Sequence, residues 1–492
     1  MALQPSLNYD VLLGVLEASS VKDVCRLMRT CRFFYTAGPK LLLRETVCLD
    51  TEERLRKFLA FLRVQPDKRF KLLNSLDLSF CNLSELASLE LADALPLMLN
   101  LRSLHLEMGD YVLVSHSCLV AAFAALTSIR DLRMSYVGEL SVTMLRNLQS
   151  TLVHVHLDFL GYVEAFFEEL PYEDWPLHHP AVLLSKSMAT LQGIKSYRWW
   201  MHDDERPDPS LVFPEMRRLD LEGTLLPLTM VFINSYPNLT HLYFTTEDDE
   251  MGPRYAAERT EEYQDRHRFN VREQNSAKHS WNRLETFQGS LLGLYVLGLT
   301  CPIEEISFSD IHEYVPDMLK TMLGYARPRS LEFHGWPGQL STPAASVCDV
   351  FRSEASSRLQ SLSFQAALGQ DEDDVDVAGI LEGLLLSLQH SPLQQLKLIV
   401  DVTSLDPRPE EGSRERLHRR DPAPPRGDED EYPLKFAERS ANNLDMEDYL
   451  RRFAKATPSL RHAMLRMVGP RERWRMATLN EGKILCEETE IR

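Results

Sequence analysis

A short leucine frame that recurs along most of the 492-residue chain constrains its fold more than any other feature. Residues 73–83 read Leu-x-x-Leu-x-Leu-x-x-Cys-x-Leu, and the first six positions of this frame return many times. Further copies begin at Leu101, Ile129, Leu152, Met216, Leu239, Ile303, Leu359, Leu393 and Leu460. The starts at residues 73, 101, 129 and 152 give steps of 28, 28 and 23 residues. Each step has the length of one strand plus one helix, so the frame predicts an α/β repeat array.

The outward positions of these short strands form a second, polar pattern. Side chains of a strand alternate between two faces, so Leu76 and Leu78 point into the core and Asp77 points out. The corresponding outward residues of other strands are His105, Arg133, His156, Asp220, Tyr243, Ser307 and Glu332. Mixed charge, imidazole and phenol on a rigid ladder are typical of protein recognition. We therefore predict that these residues, apart from Asp77 and Ser307, contact a protein substrate.

The frame at residues 73–83 resembles the signature of leucine-rich repeats, with Cys81 at the asparagine position. The resemblance implies an α/β solenoid, or horseshoe, over residues 49–470. Three segments break the pattern: 160–215 is aromatic and proline-rich, 246–283 is charged and resembles an inserted helix or loop, and 405–433 has the composition of a disordered insertion. Alternating residues around Asn480-Glu-Gly482 predict a capping hairpin over residues 471–492.

Two amphipathic helices are predicted ahead of the repeats. Apolar residues of the first helix recur at three- and four-residue steps and share one face, at Leu7, Val11, Leu12, Val15 and Leu16. Ser20-Val-Lys-Asp23 fits a capping box for a second helix, whose apolar side carries Val24, Leu27, Met28 and Cys31. A third apolar element at 39–43 leads into a short strand at 45–49. About forty residues bury little surface alone, so this unit must pack against a neighbour or a partner.

This opening resembles the F-box in its order Leu-x-x-Asp-Val-Leu-Leu-x-Val-Leu, then Lys-Asp-Val, then Arg-x-Cys-Arg-Phe-Phe. The resemblance implies a three-helix module, residues 1–48, that docks on the Skp adaptor of a cullin–RING ubiquitin ligase. Its adaptor-facing positions map to Leu7, Val11, Leu12, Val15, Leu16, Val24, Leu27 and Cys31. Asn8 stands where the family usually has proline, and leucines around Leu42 replace its frequent tryptophan. The alternative is a helical cap that covers the first repeat.

Charge and cysteine content exclude several classes of partner. The chain has 54 Lys and Arg against 72 Asp and Glu, a net charge of −18, which argues against nucleic-acid or anionic-membrane partners. No run of about 18 apolar residues predicts a membrane span. The eight cysteines contain no CxxC pair and indicate reduced, mostly buried thiols of a cytoplasmic or nuclear protein. For Cys25 and Cys31 we expect a packing role.

Histidines and acids raise the question of metal or catalytic chemistry. His178 and His179 stand near Glu173 and Asp174, and another pair, at 154 and 156, shares one strand face. Neither pair has further ligands at a recognisable spacing, so we expect exposed loop histidines at 178–179 and no metal. The acidic runs at 202–205 and 371–376 lack the central glycine of a calcium loop. No hydrolase, P-loop or dinucleotide motif occurs, so neither a cofactor nor enzymatic activity is expected.

Two functions remain open. The F-box resemblance implies a substrate receptor of a Skp–cullin–F-box ubiquitin ligase, which would hold a target protein near the ubiquitin-conjugating enzyme and raise its effective concentration. The alternative is a free-standing leucine-rich-repeat scaffold whose first helices cap the solenoid. The apolar face of the first helix discriminates between them. Exposure of Leu7, Val11, Leu12 and Val15 implies a partner, whereas burial against Leu76 and Leu78 implies a cap.

Overall fold

The fold is mixed α/β, as the repeated frame predicts, and the chain divides into two compact units, Met1–Leu239 and Thr240–Arg492. The computed structural model describes residues 8–159, 178–199, 208–224, 226–251, 256, 258–277, 279–310, 317–334, 350–351, 354–369, 372–389, 391–405, 433–469 and 473–490. The boundary between the units falls inside the region predicted as one solenoid. The leucine-rich-repeat and F-box assignments therefore stay predictions of family resemblance.

The first unit alternates strands with helices after three opening helices. Its described helices and strands are α1 (Tyr9–Glu17), α2 (Val21–Leu27), α3 (Arg32–Leu42), β1 (Val47–Leu49), α4 (Glu52–Arg63), α5 (Pro66–Arg69), β2 (Ser75–Leu78), α6 (Glu85–Ala94), β3 (Ser103–Leu106), α7 (Gly109–Val114), α8 (Cys118–Ala124), β4 (Asp131–Met134), α9 (Glu139–Asn147), β5 (His154–Asp158), α10 (Pro180–Leu183), β6 (Gly193–Tyr197), β7 (Arg218–Thr224) and α11 (Thr229–Ser235). Strands β1 to β7 pair in chain order, each parallel to the next.

The second unit continues the alternation and ends in a hairpin. Its described helices and strands are β8 (His241–Thr246), α12 (Glu247–Met251), α13 (Thr260–Ser276), β9 (Leu284–Ser290), α14 (Leu291–Leu297), β10 (Ile303–Asp310), α15 (Met318–Ala326), β11 (Ser330–His334), β12 (Ser361–Ala367), α16 (Val377–Ser387), β13 (Gln395–Asp401), α17 (Phe436–Asn442), α18 (Met446–Ala456), β14 (His462–Val468), β15 (Arg473–Asn480) and β16 (Lys483–Glu490). Strands β8 to β14 pair in parallel and in chain order, whereas β14, β15 and β16 pair antiparallel.

The inward positions of the leucine frame form the core of both units. In β2, Leu76 and Leu78 are buried, and the alternate residue Asp77 is only half-buried. The same holds for the paired inward residues Leu104/Leu106, Leu132/Met134, Val155/Leu157, Leu219/Leu221, Leu242/Phe244, Ile306/Phe308, Leu362/Phe364, Leu396/Leu398 and Ala463/Leu465. Full burial of such an apolar side chain stabilises the fold by about 1.5–3 kcal/mol. The frame therefore predicts these strands and their inward faces correctly.

Two further strands escape the frame because their inward positions depart from leucine. Strand β6 has Ile194 followed by Ser196 on its inward face, and β9 has Phe287 followed by Gly289. Strand β11 keeps Leu331 and Phe333 inward and lacks only a leucine at the first frame position. Glycine is required in β9, since its φ is +139° and a Cβ at Gly289 would lie 2.0 Å from the carbonyl oxygen of Phe244.

The charged segment 246–283 contains a long helix, one of the two possibilities the sequence left open. Helix α13 buries three polar side chains against the end of α14. His267 Nδ1 donates to the carbonyl of Tyr295 (2.8 Å), Asn270 Nδ2 to that of Val296 (2.7 Å), and Gln274 Nε2 to that of Gly298 (2.8 Å). The last carbonyls of a helix have no partner within it, so α13 satisfies the C-terminal turn of the fully buried α14.

The C-terminal hairpin is present, with a two-residue turn at Glu481 and Gly482, both at positive φ. This geometry is a type I′ turn, which suits the twist of antiparallel strands. Strand β15 covers the edge of β14. The buried residues of β15 are Ala477 and Leu479, whereas the alternating Trp474 and Met476 lie on its other face. Residues 160–177 and 200–207 of the first predicted insertion, and 406–432 of the last, lie outside the described residues.

Candidate binding surfaces

Each of the first two helices begins at a side-chain cap. Asn8, which replaces the usual proline of the F-box pattern, accepts a hydrogen bond at Oδ1 from the amide of Asp10 (3.4 Å). Ser20 Oγ accepts from the amide of Asp23 (3.3 Å) and donates to its Oδ2 (2.7 Å). This hydrogen bond from Ser20, followed by that from Arg26, lowers the pKa of Asp23. The predicted capping box is therefore half formed, because the carboxylate binds the serine hydroxyl and not its amide.

The three opening helices, hereafter the N-terminal module (residues 8–48), enclose a small core of their own. Its buried residues are Leu16, Val24, Met28 and Phe34, and Leu12 and Leu27 pack partly against them. Two of the predicted adaptor contacts, Leu16 and Val24, thus hold the module together and do not offer surface to a partner. Leu7 lies outside the described residues. Cys31 and Cys25 are exposed, which corrects the expectation that packing explains them.

Helix α1 exposes more apolar surface than an amphipathic helix needs. Among its large apolar side chains only Leu16 is fully buried, whereas Tyr9, Val11, Leu13 and Val15 are 69%, 50%, 39% and 45% exposed. Val11 and Val15 are one turn apart and share a face. A helix that is apolar on several sides is normally covered on several sides. The module therefore leaves Val11 and Val15 uncovered on one face of α1, and Tyr9 and Leu13 largely exposed on another; Val21 at the start of α2 is 63% exposed as well.

The N-terminal module also packs on the element that follows it. Phe61 of α4 lies against the module core. The buried guanidinium of Arg69 is 4.2 Å from the Phe61 ring centroid and 5.2 Å from that of Tyr35, and its Nη1 donates to the Phe61 carbonyl (2.7 Å). This cation–π sandwich anchors α3 to the first strand–helix repeat. The module thus covers part of the repeat with α3 while α1 stays exposed.

The second candidate surface is the row of outward-facing residues in the first unit. The parallel register places one such residue of each strand, β1 to β7, beside that of the next. The row consists of Cys48, Asp77, His105, Arg133, His156, Lys195 and Asp220, each the register partner of the next. It crosses a hollow of about 590 Å³ that is also lined by Asp131, His154 and Arg218. The sequence predicted this row except for Cys48 and Lys195; the frame missed Lys195 together with β6.

The acids of this hollow are each engaged by a base. Asp77 Oδ2 binds His105 Nδ1 (3.0 Å), and Asp131 Oδ1 binds His154 Nδ1 (2.8 Å). Both oxygens of Asp220 accept from Arg218 Nε, at 3.1 and 2.9 Å. The Arg218 cation balances the charge of Asp220, whereas His105 and His154 balance their partners only when their rings are protonated. Asp77 and Asp131 are therefore held in place by hydrogen bonds but keep their negative charge next to a neutral ring.

Two bases at the centre of the row have no such partner. Within the described part of the chain, Arg133 and His156 form no hydrogen bond or ion pair, and Lys195 Nζ reaches only Glu222, at 3.9 Å. Burial lowers the pKa of His156, and the positive charges of Lys195 and Arg133 lower it further. The three residues are neighbours in register, about 4.8 Å apart from strand to strand. We call Arg133, His156 and Lys195 the basic triad.

The outward row of the second unit is more neutral. It runs through Tyr243, Gln288, Ser307, Glu332, Ser363, Lys397, Met464 and Thr478. Glu332 Oε1 accepts from Ser363 Oγ (3.2 Å) and Gln365 Nε2 (2.8 Å). Tyr243 is half-buried at the other end. Two of the predicted substrate contacts, Tyr243 and Glu332, thus lie on this unit, apart from the four on the first unit.

The histidines considered for metal binding have structural roles. His178 and His179 are buried, which corrects the expectation of exposed loop residues. The His178 carbonyl accepts from Trp199 Nε1 (3.0 Å), and His179 Nδ1 accepts from the Ala181 amide (3.1 Å). Burial lowers the pKa of His179 to about 3, so the ring is neutral. In the described ranges, no three His, Cys, Asp or Glu side chains converge as a metal site requires; Glu173 and Asp174 lie outside them.

Comparison with known proteins identifies no family for this chain. No model of a known protein family matches the chain, and no curated protein matches it. Among the helices of the described ranges, none is long and apolar enough to cross a bilayer.

Proposed function

We propose that this protein is the substrate-recognition subunit of a Skp–cullin–F-box ubiquitin ligase. Its N-terminal module would be an F-box that docks the Skp-type adaptor, and its strand–helix repeats would be a leucine-rich-repeat solenoid that holds a target protein. The protein itself would catalyse nothing. It would raise the effective concentration of the target near the ubiquitin-conjugating enzyme.

The observation that carries this proposal is the exposed apolar face of α1. The exposed pair Val11 and Val15 is costly in water, and an apolar surface of this kind marks a place that a partner covers. The module has its own core beneath this face, so the exposed side chains are not needed for its folding. A docking module requires this combination of a closed core and an open apolar face.

The charge of the module supports the same reading. Residues 8–48 contain six Lys or Arg against four Asp or Glu, a balance of +2 in a chain whose net charge is −18. The module therefore differs in sign from the rest of the chain. A partner with an apolar surface and an acidic rim would be complementary to it.

A free-standing scaffold is the second candidate, and the packing of α3 favours it. Phe61 and Arg69 tie the module to the first repeat as a cap would be tied. A cap, however, leaves no reason for α1 to keep four large apolar side chains exposed. The two functions therefore differ in the role of α1, which can be tested directly.

The test is recovery of the Skp-type adaptor by the tagged full-length chain from cells, measured by mass spectrometry. Val11→Asp with Val15→Asp should reduce adaptor recovery at least about tenfold, equivalent to about 1.4 kcal/mol, since two carboxylates would be buried in the interface. The matched control is Leu86→Asp with Leu89→Asp on α6, where the side chains are 54% and 42% exposed. Circular dichroism should show unchanged secondary structure in both variants.

Three results would contradict the proposal. The first is wild-type adaptor recovery by the α1 variant. The second is an equal loss in the α6 control, which would mean that any exposed charge change disturbs recovery. The third is a wild-type chain that recovers no adaptor at all, which would favour the free-standing scaffold.

A further inference from the structure

We infer that the hollow of the first unit binds an acidic peptide segment, a run of Asp or Glu side chains, across the basic triad. This inference rests on the proposed function, since it names the class of target that the receptor would hold. It follows from three properties of the hollow: unpaired bases, their spacing, and the engagement of every neighbouring acid.

The unpaired bases indicate the charge of the ligand. In a chain of net charge −18, acids outnumber bases, so a base without an acid partner is unexpected. Arg133 and His156 nevertheless make no described ion pair, and the 3.9 Å contact of Lys195 with Glu222 is half-exposed and contributes little. A ligand with clustered negative charge would supply the missing partners.

The spacing of the triad indicates how that charge is distributed. Three neighbouring strands place the bases over about 10 Å, two strand separations. An extended peptide advances about 3.3 Å per residue, so a run of three or four acidic residues spans the triad. A single phosphoryl group is too compact to face all three strand positions at once. The row therefore favours distributed carboxylates.

Two hydrogen-bonded acid–base pairs flank the basic triad along the row. The Asp77–His105 pair lies on one side of the triad and the Arg218–Asp220 pair on the other. Because Arg218 offsets the charge of Asp220, that acid repels an incoming acid less than a free carboxylate would. Hydroxyls of Thr46, Ser75 and Ser103 line the neighbouring wall; Thr46 Oγ1 and Ser75 Oγ bond each other (3.0 Å), so Ser103 is the donor offered to a peptide backbone.

Protonation of His156 should couple binding to pH. The charged and titratable groups around it are His105 on β3, Asp131 and Arg133 on β4, His154 and Asp158 on β5, Lys195 on β6, and Arg218 and Asp220 on β7. Burial and the adjacent cations favour the neutral ring in the free protein. An acidic ligand favours the imidazolium, so binding takes up a proton and becomes tighter as the pH falls toward the lowered pKa of the free His156 ring.

The probe is a fluorescein-labelled peptide with four consecutive glutamates between glycine and serine, and its glutamine counterpart is the reference. Fluorescence anisotropy with the purified full-length chain measures Kd. Arg133→Gln with Lys195→Gln should weaken the glutamate peptide at least about tenfold. The matched control, Arg54→Gln with Lys57→Gln on α4, removes the same charge from an exposed helix and should leave Kd unchanged. His156→Gln should flatten the pH dependence, and added salt should weaken binding.

Several outcomes would overturn the inference. They are equal binding of the glutamine peptide, an unchanged Kd in the triad variant, and binding of a phosphoserine peptide by a chain that ignores the glutamate peptide. Adaptor recovery by the same proteins separates this inference from the proposed function. Recovery of adaptor without peptide binding refutes only the acidic ligand. Triad-dependent peptide binding without adaptor recovery refutes only the ligase role.

Discussion

Asp110 on α7 caps the N-terminus of another helix, α9, and its replacement should lower the local stability of that helix. The buried carboxylate accepts from the amides of Gly138 (3.0 Å), Leu140 (3.1 Å) and Ser141 (2.8 Å), and from the hydroxyl of Ser141. These amides belong to the first turn of α9, where no helical partner exists. Gly138, the N-cap residue, has no side chain that could accept these hydrogen bonds. Asp110 therefore caps α9 from the preceding repeat.

The magnitude follows from the number of donors left unpaired. An N-cap substitution costs about 0.5–2 kcal/mol, and a hydrogen bond to a charged group contributes about 1.5–3 kcal/mol without adding fully to its neighbours. For Asp110→Ala we expect a loss of about 3 kcal/mol in the local stability of α9. Asp110→Asn should lose about half as much, since one amide oxygen can still accept while the NH₂ group faces the donors.

Hydrogen exchange read out by mass spectrometry tests this locally, without assuming that the whole chain unfolds in one step. A loss of 3 kcal/mol accelerates exchange about 10²-fold in peptides that cover residues 138–141. Glu139→Ala is the matched control, because Glu139 lies in the same turn but is exposed. Protection in Asp110→Ala that equals wild type, or an equal loss in Glu139→Ala, would refute the capping role.

Two further predictions concern the second unit. Gly289→Ala should destabilise it by about 3 kcal/mol or more, since the new Cβ would lie 2.0 Å from the Phe244 carbonyl oxygen. The control Gly324→Ala, whose Cβ would have no neighbour within 4 Å, should be neutral or slightly stabilising. Gln274→Ala should cost about 2 kcal/mol by removing the donor to the Gly298 carbonyl (2.8 Å). Thermal unfolding of the purified variants measures both, and unchanged melting temperatures would contradict the packing described above.

The sequence predicted the repeated strands because one local rule generates them. Alternation places Leu76 and Leu78 inward in β2, and the same spacing recurs wherever leucine or a similar residue fills both positions. Strand β9 escaped because Gly289 occupies an inward position. Glycine is needed there because the backbone of Phe244, about 45 residues earlier in the chain, leaves no room for a Cβ atom. A constraint set by another strand leaves no trace in the local pattern.

The candidate surfaces were predicted in outline but not in their details. Period two identified the outward row, yet it could not show that Asp220 binds Arg218 or that Arg133 stays unpaired, because side-chain rotamers decide such pairs. In the N-terminal module, periodicity grouped Leu16 with Val11 on one apolar face. The structure separates them, since the module core closes over Leu16 and leaves Val11 outside.

Both proposed surfaces carry unpaired positive charge, whereas the whole chain has a net negative charge. The salt dependence of Kd shows which of the two governs binding. If the net charge of −18 governed encounters, an acidic peptide would be repelled and added salt would strengthen its binding. At physiological ionic strength, however, charges are screened over about 8 Å. A peptide in the hollow therefore senses Arg133 and Lys195 far more than acids elsewhere on the chain. Weaker binding at higher salt means that local charge governs recognition, and stronger binding would mean that the negative charges of the chain outweigh Arg133 and Lys195.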